Sequence, residues 1–450
     1  MRWLAVASFV VGAQLAHANG RAPQTISIYP QPGDPQTLFL GTTFGFLVSH
    51  DEGCTFNWMC EQNIGYGGVW DPTYAIGSDG TIFATTFDGL RISRDGGCTF
   101  TTATADLPVT DPTRIADIWI DALDIGPTGE VWVGTAETGH TNDIFVSLDN
   151  GVSFQSRGML SPEIWWKSVK VAPSNPAQVY ITGYQVAGTP VAYLYRTTNG
   201  GMMWTPSPLA NVMYASTPVL RVKAVDPIDP NVVFMVSEGA NPPTGDRLYR
   251  SSDGGTTWTE VLATPSSIHD VVIRDAQRIM IATQVKGATS VMGGPAFESS
   301  DGGRTFTQLS NVPLLACLAK RADGVLFGCG ANWDPDFKAV ARSNDGVAWE
   351  KVWRFVEIAG ALKCPEGTVQ HDTCDVTLWD CPTCQTDLKR QFGAKGPACG
   401  PVTPDTSQPP PKKGCCDGSG AQSSVMWLFV GAWFLTRRRR RARASSDSAA

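Results

Sequence analysis

Charge is scarce in this 450-residue chain. Asp, Glu, Lys and Arg together make up 17% of it, against about a quarter in a typical soluble domain. The net charge is −7, and Arg2 with the six arginines beyond Thr436 supplies part of the positive side. The body is therefore acidic. That argues against nucleic acid as a partner, because affinity for phosphate backbones rests on clustered Lys and Arg. Histidine is rare too. His17, His50, His140, His269 and His371 never fall at the H-E-x-x-H spacing of a zinc protease. The sequence holds no G-x-S-x-G elbow and no P-loop, and no metal or cofactor is expected. Even its most apolar runs are short for a membrane span of about 20 residues.

Glycine and tryptophan are plentiful, at 46 and 15 residues, and many of them sit in one repeated string. "SSDGGTTW" begins at Ser251. Relatives of it begin at Ser49, Ser93, Ser147, Thr197, Ser299 and Ser343. Their third positions are Asp51, Asp95, Asp149, Asn199, Asp253, Asp301 and Asp345. A motif recurring every 44 to 54 residues signals a propeller or a solenoid array. Short runs rich in Val, Ile, Phe, Tyr and Thr flank each copy, such as "EVWVGTA" before "DIFVS". These read as strands. Four strands per repeat is the make-up of a propeller blade. The expected fold is all-β, a seven-bladed β-propeller over residues 24–355.

Each motif is expected in the hairpin between the third and fourth strands of its blade. There the Asp or Asn holds a tight turn through nearby N–H groups. The closing Trp or Phe can bury its ring between blades. The motif resembles the Asp box, or BNR repeat, of sialidases, sortilin-type receptors, some xyloglucan hydrolases and photosystem assembly factors. The resemblance implies a structural role for the seven box residues, on the face away from the ligand.

The ends carry addresses. Arg2, an apolar run from Trp3 to Leu15 and an A-x-A site at Ala16–Ala18 read as a signal peptide, residues 1–18. At the other end come Cys415 and Cys416, a polar spacer, an apolar run from Val425 to Leu435 and an arginine cluster from Arg437. This order resembles the myxobacterial C-terminal sorting signal, here residues 414–450 with a transmembrane segment. The resemblance implies display at the cell surface, a sorting protease as partner, membrane contact through residues 425–436, and processing or lipidation at Cys415 or Cys416. Residues 401–413 form a proline-rich linker, which in polyproline II spans roughly 40 Å. Residues 356–400 form a small Cys-rich module. In an exported chain its cysteines are expected in disulfides rather than in zinc, although Cys381 and Cys384 have knuckle spacing. Cys317 with Cys329 is one expected pair, and Cys54 with Cys60 could close a small loop. At least one bridge is expected to tie a blade cysteine such as Cys98 to the module. "VEIAGALK", Val356 to Lys363, is the candidate strand for closing the ring.

The ligand face is expected opposite the repeated turns, where the loops between second and third strands lie. Aligning the inner strands puts Trp70, Trp119, Trp165 and Val219 at one position, where the strand enters from that face. Two residues on come Pro72, Asp121, Lys167 and Arg221. Aromatic platforms beside a few charged groups suit a glycan or a peptide, while large aromatics also pack between blades. Asp71, Asp117, Asp121 and Glu163 could supply a carboxylate pair for glycoside hydrolysis, with Asp71 and Asp121 the leading candidates. The early Arg-Ile-Pro motif of sialidases is absent, and xyloglucan hydrolases of this type work between two propellers where this chain has one. The expected function is a secreted, surface-displayed binding module for a glycan or an extracellular protein. The alternatives are a glycoside hydrolase and an envelope assembly factor.

Overall fold

The computed structural model describes residues 23–397, apart from 68–69, 242–244, 287–290, 334–335 and 381–387. The signal peptide, the linker, the sorting signal with Cys415 and Cys416, and Cys381, Cys384 and Cys399 lie outside the described residues. The fold is a seven-bladed β-propeller. Blade 1 begins with Thr25–Pro30 and blade 7 ends with Glu350–Trp353. Each blade is built on four antiparallel strands drawn from one continuous stretch of chain, so its first four strands never mix the two ends of the chain. Blade 6 adds Val291–Gly293, paired with its second strand.

The repeated turns share one hydrogen-bond pattern. In blade 5 the Ser251 hydroxyl donates to Asp253 Oδ1 (2.8 Å) and accepts from the Gly255 amide (2.8 Å). Asp253 Oδ1 also accepts from the Thr257 amide at 2.9 Å. Ser147, Asp149, Gly151 and Ser153 repeat the arrangement in blade 3, and Asn199 replaces the aspartate in blade 4. The second glycine of the turn has positive φ and lies against the preceding blade. At Gly303 (φ +78°) an added Cβ would fall 2.5 Å from the Phe234 ring.

The core is correspondingly divided. Seven apolar clusters each join one blade to the next. The aromatic that closes each turn belongs to the cluster shared with the preceding blade: Phe100 with Phe39 and Phe46, and Trp258 with Tyr180 and Leu194. The motif therefore fixes both the hairpin and the seam.

The seam between blades 7 and 1 has extra cover. Gly360–Ala361 pairs in parallel with Asn57–Trp58, adding a fifth, outermost strand to blade 1. These two residues lie inside the "VEIAGALK" candidate. A helix, Gln370–Trp379, follows. Among the described residues three disulfides are formed. Cys317–Cys329 links register partners on the first two strands of blade 7. Cys60–Cys374 and Cys98–Cys364 tie blades 1 and 2 to the segment after blade 7. The expected Cys54–Cys60 loop is thus corrected. The extended strand Asn57–Met59 lies between these cysteines, and at about 3.3 Å per residue it carries them too far apart for the 4.4–6.8 Å Cα separation of a disulfide. Cys54 is itself disulfide-bonded. No helix among the described residues is long and apolar enough to cross a membrane.

Candidate functional site

The inner strands of blades 1 to 6 enclose a central cavity of about 740 Å³. Its wall follows from how these strands are paired. Four of them carry a one-residue bulge at an ionisable side chain. In blade 3 the pairing skips Asp121, in blade 4 Lys167, in blade 5 Lys223 and in blade 6 His269. A bulge breaks the strict alternation of side chains and re-aims one of them. All four of these residues line the cavity. Blade 1 has a bulge at Ile26, which lines it too.

The sequence alignment of this wall is right in part. Asp121 and Lys167 do occupy matching bulges. Arg221, aligned with them, pairs regularly with Val236, and the bulge of blade 5 falls two residues later at Lys223. Sequence reasoning passed over Lys223 and His269. The available signal was a charged residue between apolar ones in "VLRVKAVD" and "SSIHDVVI", which leaves the position of an unpaired residue open.

The charged groups form a connected set. The Lys167 ammonium pairs with Asp121. Arg221 reaches Asp121 at 3.4 Å and Glu238 at 2.8 Å, and also donates to the Lys167 carbonyl. In this charged neck of the cavity Lys170 also pairs with Asp124, at 2.7 Å. His269 Nδ1 lies 2.8 Å from Asp270 Oδ2, which also accepts from the Leu318 amide. Burial, with the Arg221 charge beside it, lowers the Lys167 ammonium to about 7. The Asp121 carboxylate in direct contact works the other way and favours the proton.

An aromatic arc begins on the same wall, where Trp70, Phe87 and Trp119 line the cavity, and continues beyond it. Trp70, Phe87, Trp119, Trp165 and Tyr184 follow one another with ring centroids 5.0–6.5 Å apart, mostly edge to face. The three aligned tryptophans therefore do come together. Trp70 is 62% exposed, while Trp119 and Trp165 are half-buried. The Lys167 ammonium lies 4.8 Å from the Trp119 ring centroid.

The four carboxylates considered for hydrolysis are not gathered. Asp121 is bound by Lys167 and Arg221. Asp117 is exposed and pairs with Arg114. Glu163 is exposed and accepts from Gln185 at 3.2 Å. Asp71 lines the cavity. Among the described residues no cluster of three His, Cys, Asp or Glu is arranged to hold a metal ion.

No protein-family model matches the chain, and no curated protein does. Solved structures do share its fold. An ancestral GH74 enzyme aligns with a TM-score of 0.50 at 15% identity, over 74% of this chain and 47% of that one. The GH74 xyloglucanase from Xanthomonas campestris gives 0.44 at 15% identity, over 73% and 66%. YCF48 from Cyanidioschyzon merolae gives 0.45 at 13% identity, over 68% and 92%. This chain thus spans less than two thirds of the length of either GH74 enzyme. At such identity the likeness is one of fold, and a fold hosts many functions.

Proposed function

We propose that this chain is an exported, surface-displayed binding module that holds a glycan at the cavity mouth. The observation that carries this reading is the aromatic arc set directly above a neutralised charged neck. Trp70 offers an exposed ring, and Asp121, Lys167, Arg221 and Glu238 offer donors and acceptors already fixed by one another. A binding site wants such preorganised polar groups beside apolar faces. Hydrolysis wants two carboxylates flanking a glycosidic bond, and Asp121 is tied to two cations. In this reading the repeated turns are Asp boxes with a structural role. The disulfides suit an oxidising compartment. Residues 1–18 direct export, and residues 414–450 direct sorting through Cys415 or Cys416.

The test is a tryptophan-fluorescence titration of the purified chain with a panel of neutral and acidic oligosaccharides. The expected result is a saturable change for at least one sugar, with a Kd that Trp70→Ala raises a few-fold to about tenfold. Turnover of a glycoside, lost in Asp71→Asn or Asp121→Asn, would replace this reading with the hydrolase. A stoichiometric envelope protein retained by the chain, with no sugar bound, would replace it with the assembly factor.

A further inference from the structure

Lys167 and Lys223 stand at bulges in the inner strands of neighbouring blades. They differ in what they touch. Lys167 is held by Asp121. Lys223 makes no hydrogen bond or ion pair with any described residue, although it lines the cavity beside several that do. The other bases of the neck are occupied: Lys170 by Asp124, Arg221 by Asp121 and Glu238, His269 by Asp270.

Four charged groups act on Lys223 at longer range. They are Glu238 on the second strand of blade 5, Asp246 on its third, Arg221 on its own strand and Asp270 on the inner strand of blade 6. Burial outweighs the three acids and lowers the pKa of the ammonium. More of the nucleophilic free amine is therefore present near neutral pH than on a surface lysine.

We propose that Lys223 is a reactive amine that condenses reversibly with an aldehyde or ketone entering the channel. The Nζ lone pair adds to the carbonyl carbon, and the π pair moves to oxygen, which takes a proton. The carbinolamine then expels that oxygen as water, the second amine proton leaving with it, and a C=N bond forms. No redox partner is needed. The His269–Asp270 pair lines the same cavity on the next inner strand. It is suited to carry the proton from nitrogen to the departing oxygen. For a saccharide the reacting group is the open-chain form of the reducing end. The proposal does not depend on glycan binding, because any small carbonyl compound tests it.

The experiment is reductive trapping. The intact protein is incubated at pH 7 with glycolaldehyde and cyanoborohydride, and the adducts are mapped by peptide mass spectrometry. Lys223 is expected to be modified several-fold faster than Lys363, whose side chain is 76% exposed, and faster than Lys389. Its rate is expected to level off at a lower pH than that of a free lysine side chain. In Lys223→Met that adduct vanishes while labelling at Lys363 and Lys389 is unchanged, and an unchanged melting temperature reports the intact fold. Labelling of Lys223 no faster than Lys363 in the unaltered protein would overturn the proposal.

Discussion

Lys167 covers one face of Trp119, with its ammonium 4.8 Å from the ring centroid. That face is closed to a sugar ring. Trp70, at the exposed end of the arc, has no such cover among the described residues and is the better platform. Trp70→Ala is therefore expected to weaken a bound oligosaccharide by about 0.5–1.5 kcal/mol beyond simple area loss, a few-fold to about tenfold in Kd. Trp119→Ala should weaken it less. Equal losses at the two positions, measured by calorimetric titration, would mean that Lys167 moves aside on binding.

The repeated turns predict an acid transition. At Asp149 burial pushes the carboxyl up, and hydrogen bonds from Ser153, Ser147 and the Val152 amide outweigh it and bring the value down to about 2. Asp51, Asp95, Asp253, Asp301 and Asp345 are lowered too. A depressed carboxylate adds stability above its unfolded value, near 3.9, and loses it as pH falls through the folded value. The melting temperature should therefore drop between about pH 4 and pH 2. Asn199 does not titrate, so blade 4 contributes nothing to this loss. Asn199→Asp should steepen the drop, and an unchanged slope would remove the turn from the explanation.

The same turns show why the fold was legible and the site less so. Ser251, Asp253 and Gly255 bond mainly within their own turn, so seven copies of one local pattern announce seven blades. The arc was legible as well, because Trp119 and Trp165 hold one position on consecutive inner strands. Lys223 was not. Its place depends on where the pairing with Val233–Asn241 slips by one residue, and a one-residue slip redirects a side chain without altering composition. The partner of Cys60 was hidden for a related reason. Cys374 lies 314 residues away, and only closure of the ring brings the two together.

That closure can be measured. Cys60–Cys374 and Cys98–Cys364 span 314 and 266 residues, whereas Cys317–Cys329 spans 12. If a bridge acts by restricting the unfolded chain, the long loops count for more. With Cys60–Cys374 still closed, the loop that Cys98–Cys364 adds runs through residues 60–98 and 364–374, about 50 residues, so Cys98→Ser with Cys364→Ser should cost about 4 kcal/mol, and Cys317→Ser with Cys329→Ser about 3 kcal/mol. Denaturant midpoints in the reverse order would show that the blade 7 bridge acts through native packing instead.

Two glycines separate backbone strain from crowding. Gly129 has φ +91° with nothing within 4 Å of an added Cβ. Gly129→Ala is expected to cost about 1 kcal/mol, the penalty of a left-handed residue alone. Gly303 has φ +78° and the Phe234 ring 2.5 Å from the added carbon. Gly303→Ala must also displace a ring in the seam between blades 5 and 6, for about 1–3 kcal/mol more. Equal effects in a thermal melt would mean that the seam yields freely.

The buried pair in the neck gives a prediction whose size depends on pH. Lys167 is lowered to about 7, by burial first and by Arg221 second, while an unfolded lysine titrates near 10.4. Between those values the unfolded chain holds the extra proton, so this group makes stability rise with pH. Asp121 opposes that trend by holding the charged form. Asp121→Asn leaves a charged lysine buried without its carboxylate, a loss of about 3–5 kcal/mol where the lysine stays protonated. Above pH 8 Lys167 can shed its proton and escape that penalty. The variant should therefore be destabilised more at pH 6 than at pH 9 in denaturant titrations. The same deficit at both values would mean that Lys167 keeps its proton without Asp121, and that Glu238 is sufficient to hold it.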